Sequence, residues 1–268
     1  MNTLIHPTAV IDASTDLGKE VRVGPYAIVE AGCVIGDYSE IRAHAVICKG
    51  SLIGPKNQIG YGAVIGAEPQ DYGYKGGPSR VEIGSGNKIR EYVTIHRASQ
   101  ENGATSIGND NFIMGGVHLG HDTQIGNGAI LANNTLLSGY VTVGDRAFLG
   151  GATIVHQHVR IGSFAITRGG TRLGKDVPPF FMAVDTNQVS GVNRIGLRRA
   201  GFSQETRRAI QAAYEMIYSS NLNVTQALAE LRAKFHFPEI AQLIEFISGS
   251  KRGICRNYGR GAGHAEEE

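Results

Sequence analysis

From Ile5 onward an aliphatic residue occupies almost every sixth position as far as Leu173. The register runs Ile5, Ile11, Leu17, Val23, Val29, Ile35, Ile41, Ile47, Ile53, Ile59, Ile65 and resumes in phase at Ile83, Ile89 and Ile95. It resumes again at Ile107 and continues through Ile113, Leu119, Ile125, Leu131, Leu137, Val143, Leu149, Val155 and Ile161. Thr167 alone breaks the aliphatic rule. The second position of each hexad is often Gly, and the fifth is small, as at Ala27, Ser39, Ala63, Ala129, Thr135 and Ala165. No α-helix keeps a period of six, and a half-buried flat sheet alternates in twos. The pattern predicts a mainly β fold, a parallel β-helix of hexapeptide repeats. Each hexad is a short strand plus a corner, and three close a triangular coil with a rise of about 4.8 Å. The first-position aliphatics fill the prism, and small fifth residues fit where the corner crowds it. No hexad buries its face alone, so the array is stable only as a stack.

Two interruptions keep phase, at residues 71–82 and 101–106. They read as loops extruded from continuous coils, and insertions in repeat arrays collect on one face, often the binding face. The array is expected to end at Asp176-Val-Pro-Pro-Phe, where two prolines stop strand pairing. The composition then turns helical. Ser203 can cap a helix to about Tyr218 with Ile210, Tyr214 and Ile217 on one face, Asn223 or Thr225 opens a second to about Phe235, and Pro238 starts a third. The expected organisation is a β-helix domain over 1–189, a helical domain over 190–256, and a disordered tail over 257–268. A prism with polar flanks needs neighbours for its side walls, so a homotrimer about an axis parallel to the prism is expected.

A net charge of +2 and no basic stripe interleaved with aromatics give no reason to expect nucleic-acid binding. Cys33, Cys48 and Cys255 are an odd set without metal-ligand spacing and point to a reducing compartment. No integral membrane segment and no signal-peptide pattern is visible, so a cytoplasmic location is expected.

The candidate chemistry sits in two adjacent stacks. His121, Gly139 and Gln157 are spaced by one coil each, and so are Gly120, Ser138 and His156. A Gly over His121 leaves room beside the imidazole and exposes a backbone N–H there. A base, a vacancy and an oxyanion donor are what acyl transfer requires. Consecutive strand residues point to opposite faces, so Asp122 meets the His121 ring only if the pair turns a corner. Two other readings stay open: a zinc site using His96, His118 and His121, as in hexapeptide-helix carbonic anhydrases, and a non-enzymatic scaffold.

Longer motifs carry a resemblance. Tyr-Val-Thr-Ile-His-Arg (92–97), Gly-His-Asp (120–122), Ile-Leu-Ala-Asn-Asn (130–134) and Val-His-Gln (155–157) occur in order. Asp-Val-Pro-Pro (176–179), Gly-Val-Asn (191–193), Gly-Leu-Arg-Arg-Ala-Gly-Phe-Ser (196–203) and Arg-Gly-Ile (252–254) follow. From Ile5 to Arg256 the chain resembles the UDP-N-acetylglucosamine acyltransferases that open lipid A biosynthesis. The resemblance implies a left-handed β-helix homotrimer with active sites between neighbouring subunits. It implies transfer of a (3R)-hydroxyacyl chain from acyl carrier protein to the sugar 3-hydroxyl, with no metal or organic cofactor. His121 matches the general base, Asp122 its orienting acid, and the Gly139 N–H the oxyanion donor. Gln70, Asp71, His96, His118, His156 and Gln157 match substrate-contacting positions. Asn193 and Arg199 match residues at the nucleotide or acyl end, and Gly169 the position that measures acyl length. For the acidic carrier protein, the sequence offers Arg160, Arg168, Arg172, Lys175, Arg198 and Arg199 as a basic dock.

Three positions depart from the family pattern. Gly73 stands where the family has Lys in the first loop, Ile195 where it has an acidic residue, and Tyr140 where it has His. A 3-amino or other UDP-sugar acceptor is the alternative these departures leave open.

Overall fold

The computed structural model describes residues 4–258. Three parallel sheets form the faces of a triangular prism. Leu4–Ile5 pairs with Arg22–Val23 on the first face, Val10–Ile11 with Ile28–Val29 on the second, and Asp16–Leu17 with Val34–Ile35 on the third. Most strands are two residues long, with the first residue half-exposed or exposed and the second buried. Aliphatics from Val23 to Leu173 line the interior, most under 5 % exposed. The first coil is the exception. Leu4 and Ile5 are 64 % and 47 % exposed because no coil lies beneath them.

Thr167 is 2 % exposed and keeps the interior position despite its hydroxyl. Its Oγ1 lies 2.8 Å from Thr153 Oγ1 and accepts from the Gly150 N–H at 2.9 Å, so the buried oxygen is paired. One edge carries a polar ladder that the small-fifth-residue rule did not anticipate. Asn57, Asn87 and Asn111 are fully buried in successive coils. Each carboxamide oxygen accepts the backbone N–H of the next coil's residue, and Asn57 and Asn87 also receive that residue's Nδ2.

The extruded segments are shorter than their sequence gaps. Arg80–Ile83 and Ala104–Ile107 are four-residue strands that pair with each other. A bulge between Ile65 and Ala67 launches the first loop, and Gly66 sits there at φ 84°. A Cβ on Gly66 would strike the Ser51 hydroxyl, so a side chain is excluded on both counts.

The array also continues past the prolines. Phe181–Val184 joins the first face in parallel, then turns back as an antiparallel hairpin with Gln188–Val192. The two prolines withdraw amides only locally, and the hairpin breaks the sixfold period that would have revealed it. Asn257, placed by composition in a disordered tail, lies in the strand Arg256–Asn257, which pairs with Gln188–Val189. Its side chain accepts from Tyr214 Oη at 2.8 Å, an anchor that composition does not encode. The rest of that tail, 259–268, lies outside the described residues.

Four helices follow the hairpin: α1 (Arg194–Arg199), α2 (Gln204–Tyr218), α3 (Val224–Lys234) and α4 (Pro238–Ser248). Ser203 caps α2 and Asn223 caps α3 with a reciprocal box to Gln226. Ile210, Tyr214 and Ile217 are buried, and the Phe181 ring meets Tyr214 edge-on at 5.3 Å. The Arg160 guanidinium stacks over Phe246 at 4.2 Å and donates to its carbonyl, clamping α4 to the prism. No helix among the described residues is long and apolar enough to cross a membrane.

Candidate active site

Most of the candidate residues fall along one ridge, the corner between the second and third faces. His96 ends the strand Thr94–His96, His118 opens His118–Leu119, and His121 lies at the corner that follows. The first loop leaves the same ridge two coils below His121, and His156 and Gln157 emerge two coils above it.

Asp122 occupies the left-handed region at φ 59°. That backbone turn places two consecutive side chains on one side of the chain. His121 Nδ1 therefore lies 2.8 Å from Asp122 Oδ2, with both side chains about nine-tenths buried. The contact fixes the ring: with Nδ1 committed to the carboxylate, Nε2 faces outward. Asp71, on the first loop, brings Oδ2 to 4.0 Å from that Nε2. Asp71 Oδ1 is held by the Gly73 N–H at 2.8 Å.

The His121 ring lies across Gly139 of the next coil. A Cβ there would come within 2.5 Å of both Cε1 and Nε2, so only glycine accommodates the ring. At a different corner, between the third and first faces, four backbone N–H groups are each capped by a side chain one coil on. Lys19, Ser85, Asn109 and Asn127 donate in this way to Asp37, Asn109, Asn127 and Asp145 at 2.7–2.8 Å. The Gly139 N–H donates to no acceptor among the described residues.

His118 and His96 stand beside the pair, their rings edge to face at 5.1 Å. His118 Nδ1 contacts Thr94 Oγ1 at 2.9 Å, and His96 Nδ1 contacts the Glu68 carbonyl. Burial, reinforced by the neighbouring His96 and His121, pulls the His118 pKa below the ordinary histidine value. Gln70 and His156 are exposed on the ridge, as is Gln157, whose carbonyl lies 3.2 Å from His156 Nδ1. No three metal-competent side chains converge among the described residues.

Three candidates lie elsewhere in the same chain. Asn193 caps α1 and donates through Nδ2 to the Phe164 carbonyl. With Arg199 it lines an open cleft of about 840 Å³ against the first face, walled by Phe148, Phe164, Ile166 and Met182. Gly169 sits at the corner between the first and second faces, where a Cβ would meet only the Gly151 carbonyl at 3.3 Å. The basic cluster is also divided. Arg160 is committed to Phe246, and Lys175 Nζ donates to the Arg252 carbonyl at 2.8 Å, whereas Arg168, Arg172, Arg198 and Arg199 are exposed.

Two residues outside the sequence candidates complete the surroundings. Ser99 donates to Asp122 Oδ2 through both its N–H and its hydroxyl at 2.8 Å. Tyr140 sets its ring edge-on to His121 at 5.2 Å. Ser99 carries no sequence signal beyond its place just before the second interruption, and Tyr140 stands out only as a departure from the family pattern.

The comparisons agree with this architecture. Residues 14–49 and 104–139 match the bacterial transferase hexapeptide model, and 176–255 match domain 2 of UDP N-acetylglucosamine O-acyltransferase. The chain is 49 % identical over 265 residues to the acyl-(acyl-carrier-protein)–UDP-N-acetylglucosamine O-acyltransferase of Ralstonia nicotianae, covering 94 % of this chain and 98 % of that one. Its identity to the Thermodesulfovibrio yellowstonii enzyme of the same name is 44 % over 255 residues, covering 94 % and 99 %. The UDP-N-acetylglucosamine acyltransferase structure from Bacteroides fragilis superposes with a TM-score of 0.91 at 42 % identity, covering 94 % of this chain and all of that one. The prism is thus the left-handed β-helix of these acyltransferases. Repeat, helical module and near-complete coverage together establish that the chain belongs to the acyl-(acyl-carrier-protein)–UDP-N-acetylglucosamine O-acyltransferase family.

Proposed function

We propose that the protein transfers a (3R)-hydroxyacyl chain from acyl carrier protein to the 3-hydroxyl of UDP-N-acetylglucosamine, the first step of lipid A biosynthesis, in the cytoplasm. The observation that carries this reading is the His121 ring, tied to Asp122 through Nδ1 and lying across Gly139. Neutral His121 accepts the hydroxyl proton at Nε2 as the sugar oxygen attacks the thioester carbonyl. Asp122 stabilises the imidazolium that forms. The free Gly139 N–H meets the developing oxyanion, a contribution of about 3–4 kcal/mol to barrier lowering for donors of this kind. The carrier's thiol leaves with the proton from His121. No enzyme nucleophile is needed, because the hydroxyl attacks directly.

Gln70, Asp71, His96, His118, His156 and Gln157 are the side chains that would hold the sugar and the acyl end along the ridge. Asn193 and Arg199 lie against the first face of their own chain, and the ridge separates the other two faces. A homotrimer that sets one chain's cleft against a neighbour's ridge accounts for both sets. Arg168, Arg172, Arg198 and Arg199 remain as the basic dock for the acidic carrier.

The test is transfer from hydroxyacyl carrier protein to UDP-N-acetylglucosamine and to its 3-amino analogue. The parent is expected to prefer the hydroxyl acceptor. His121→Ala is expected to lose at least ~10² in kcat with its assembly and melting unchanged. A variant that keeps a tenth of the parent rate would remove His121 from the base role. Faster transfer to the amino sugar would reassign the acceptor.

A further inference from the structure

A line of hydrogen bonds leads from the His121–Asp122 pair to the residues that enter the second extruded segment. Asp122 Oδ2 accepts from the Ser99 N–H and the Ser99 hydroxyl, each at 2.8 Å. Ser99 Oγ lies 2.9 Å from Tyr140 Oη, which in turn accepts from Gln100 Nε2 at 2.8 Å. An ionised carboxylate can only accept, so the Ser99 proton points to Asp122. The Tyr140 hydroxyl must then donate to Ser99, and the chain has one direction: Gln100, Tyr140, Ser99, Asp122. The Tyr140 ring is itself held, edge-on to His121 and stacked on His158 at 4.6 Å.

We propose that Ser99 and Tyr140 are positioning residues for the acyl transfer, acting on His121 through Asp122; the inference rests on His121 as the base. Both Ser99 donors converge on the same oxygen that holds Nδ1. Without them the carboxylate turns about its own axis and the imidazole loses the partner that selects its tautomer. A hydrogen bond to a charged group is worth about tenfold or more in an equilibrium or rate. Because the Tyr140 hydroxyl acts through Ser99, removing it and removing the Ser99 hydroxyl give losses that overlap rather than multiply.

The experiment measures kcat and both KM values of the full-length protein for Ser99→Ala, Ser99→Thr, Tyr140→Phe, the Ser99→Ala/Tyr140→Phe double variant and His121→Ala. The expected result is a fall in kcat of about tenfold for Ser99→Ala with both KM values within about twofold. Ser99→Thr, which keeps the hydroxyl, should recover most of the rate. Tyr140→Phe should lose about threefold, and the double variant should match Ser99→Ala. Unchanged kcat in Ser99→Ala, a loss confined to KM, or multiplicative losses in the double variant would each overturn the proposal. Should Ser99→Ala fail to fold, an unchanged kcat in Tyr140→Phe overturns it alone. Retained activity in His121→Ala instead strikes the base assignment, so the two failures are separable.

Discussion

At the scale of single residues, the site depends on what is missing as much as on what is present. Gly139 gives the His121 ring its seat, and its own N–H meets no acceptor among the described residues. Gly139→Ala puts a methyl 2.5 Å from two ring atoms, and turning one side chain relieves the clash. The expected outcome is a rate loss of about 10² with little change in melting temperature, read by kinetics and calorimetry on one sample. His118 gives a pH effect of definite sign. Its folded pKa lies below the ordinary 6.5. As pH falls through 6.5 the unfolded chain takes up a proton that the folded chain refuses, so stability is lost on the acid side and is complete above it. Urea midpoints from pH 8 to 5.5 should fall less steeply in His118→Gln than in the parent; parallel curves would show that His118 does not contribute. The thiols are silent at neutral pH for a related reason. Burial pushes Cys255 up to about 12 and Cys48 up to about 11, away from the reactive thiolate.

At the scale of elements, the prism edge between the third and first faces is held by the asparagine ladder. Asn87 links its neighbours above and below through four contacts and also donates to the Gly108 carbonyl. Asn87→Ala leaves buried donors and acceptors without partners in two coils, at about 1–3 kcal/mol each before relaxation. A loss of about 3 kcal/mol, measured by chemical unfolding, is expected, with kcat preserved because the ladder lies on a different edge from His121. An equal substitution at Ser14, on the exposed turn of the first coil, should cost far less.

At the scale of the whole molecule, the acyl chain needs a groove with an end. Gly169 stacks over Gly151 at an exposed corner, where a Cβ would meet nothing but the Gly151 carbonyl at 3.3 Å. Each buried methylene is worth about 0.8 kcal/mol, or roughly fourfold in affinity, so a groove end separates donors two carbons apart. The parent is expected to favour a longer hydroxyacyl donor, and Gly169→Met to shift the preference to shorter ones at similar maximal rate. Identical rankings across a donor length series would place the end of the groove elsewhere.

The sequence by itself determined whatever repeats. An interior aliphatic every six residues, small fifth positions and a Gly one coil after His121 are constraints each coil imposes on itself, so the period, the prism and the His121–Gly139 stack were legible, whereas the asparagine ladder was not. The cap Ser203 was legible too, and Asn223 as one of two candidates, because capping is local chemistry. Tertiary structure alone decided what depends on direction and on distant partners. Asp122 meets His121 only because its backbone turns left-handed at the corner, a geometry that composition does not announce. The hairpin after the prolines and the strand at Arg256–Asn257 exist because the prism's last coil offers them an edge. Ser99 reaches Asp122 across twenty-three positions because its coil stacks directly beneath that of Asp122 at the same corner. A periodic code states where each residue sits within its own coil; which side chains meet across coils is settled by the stack.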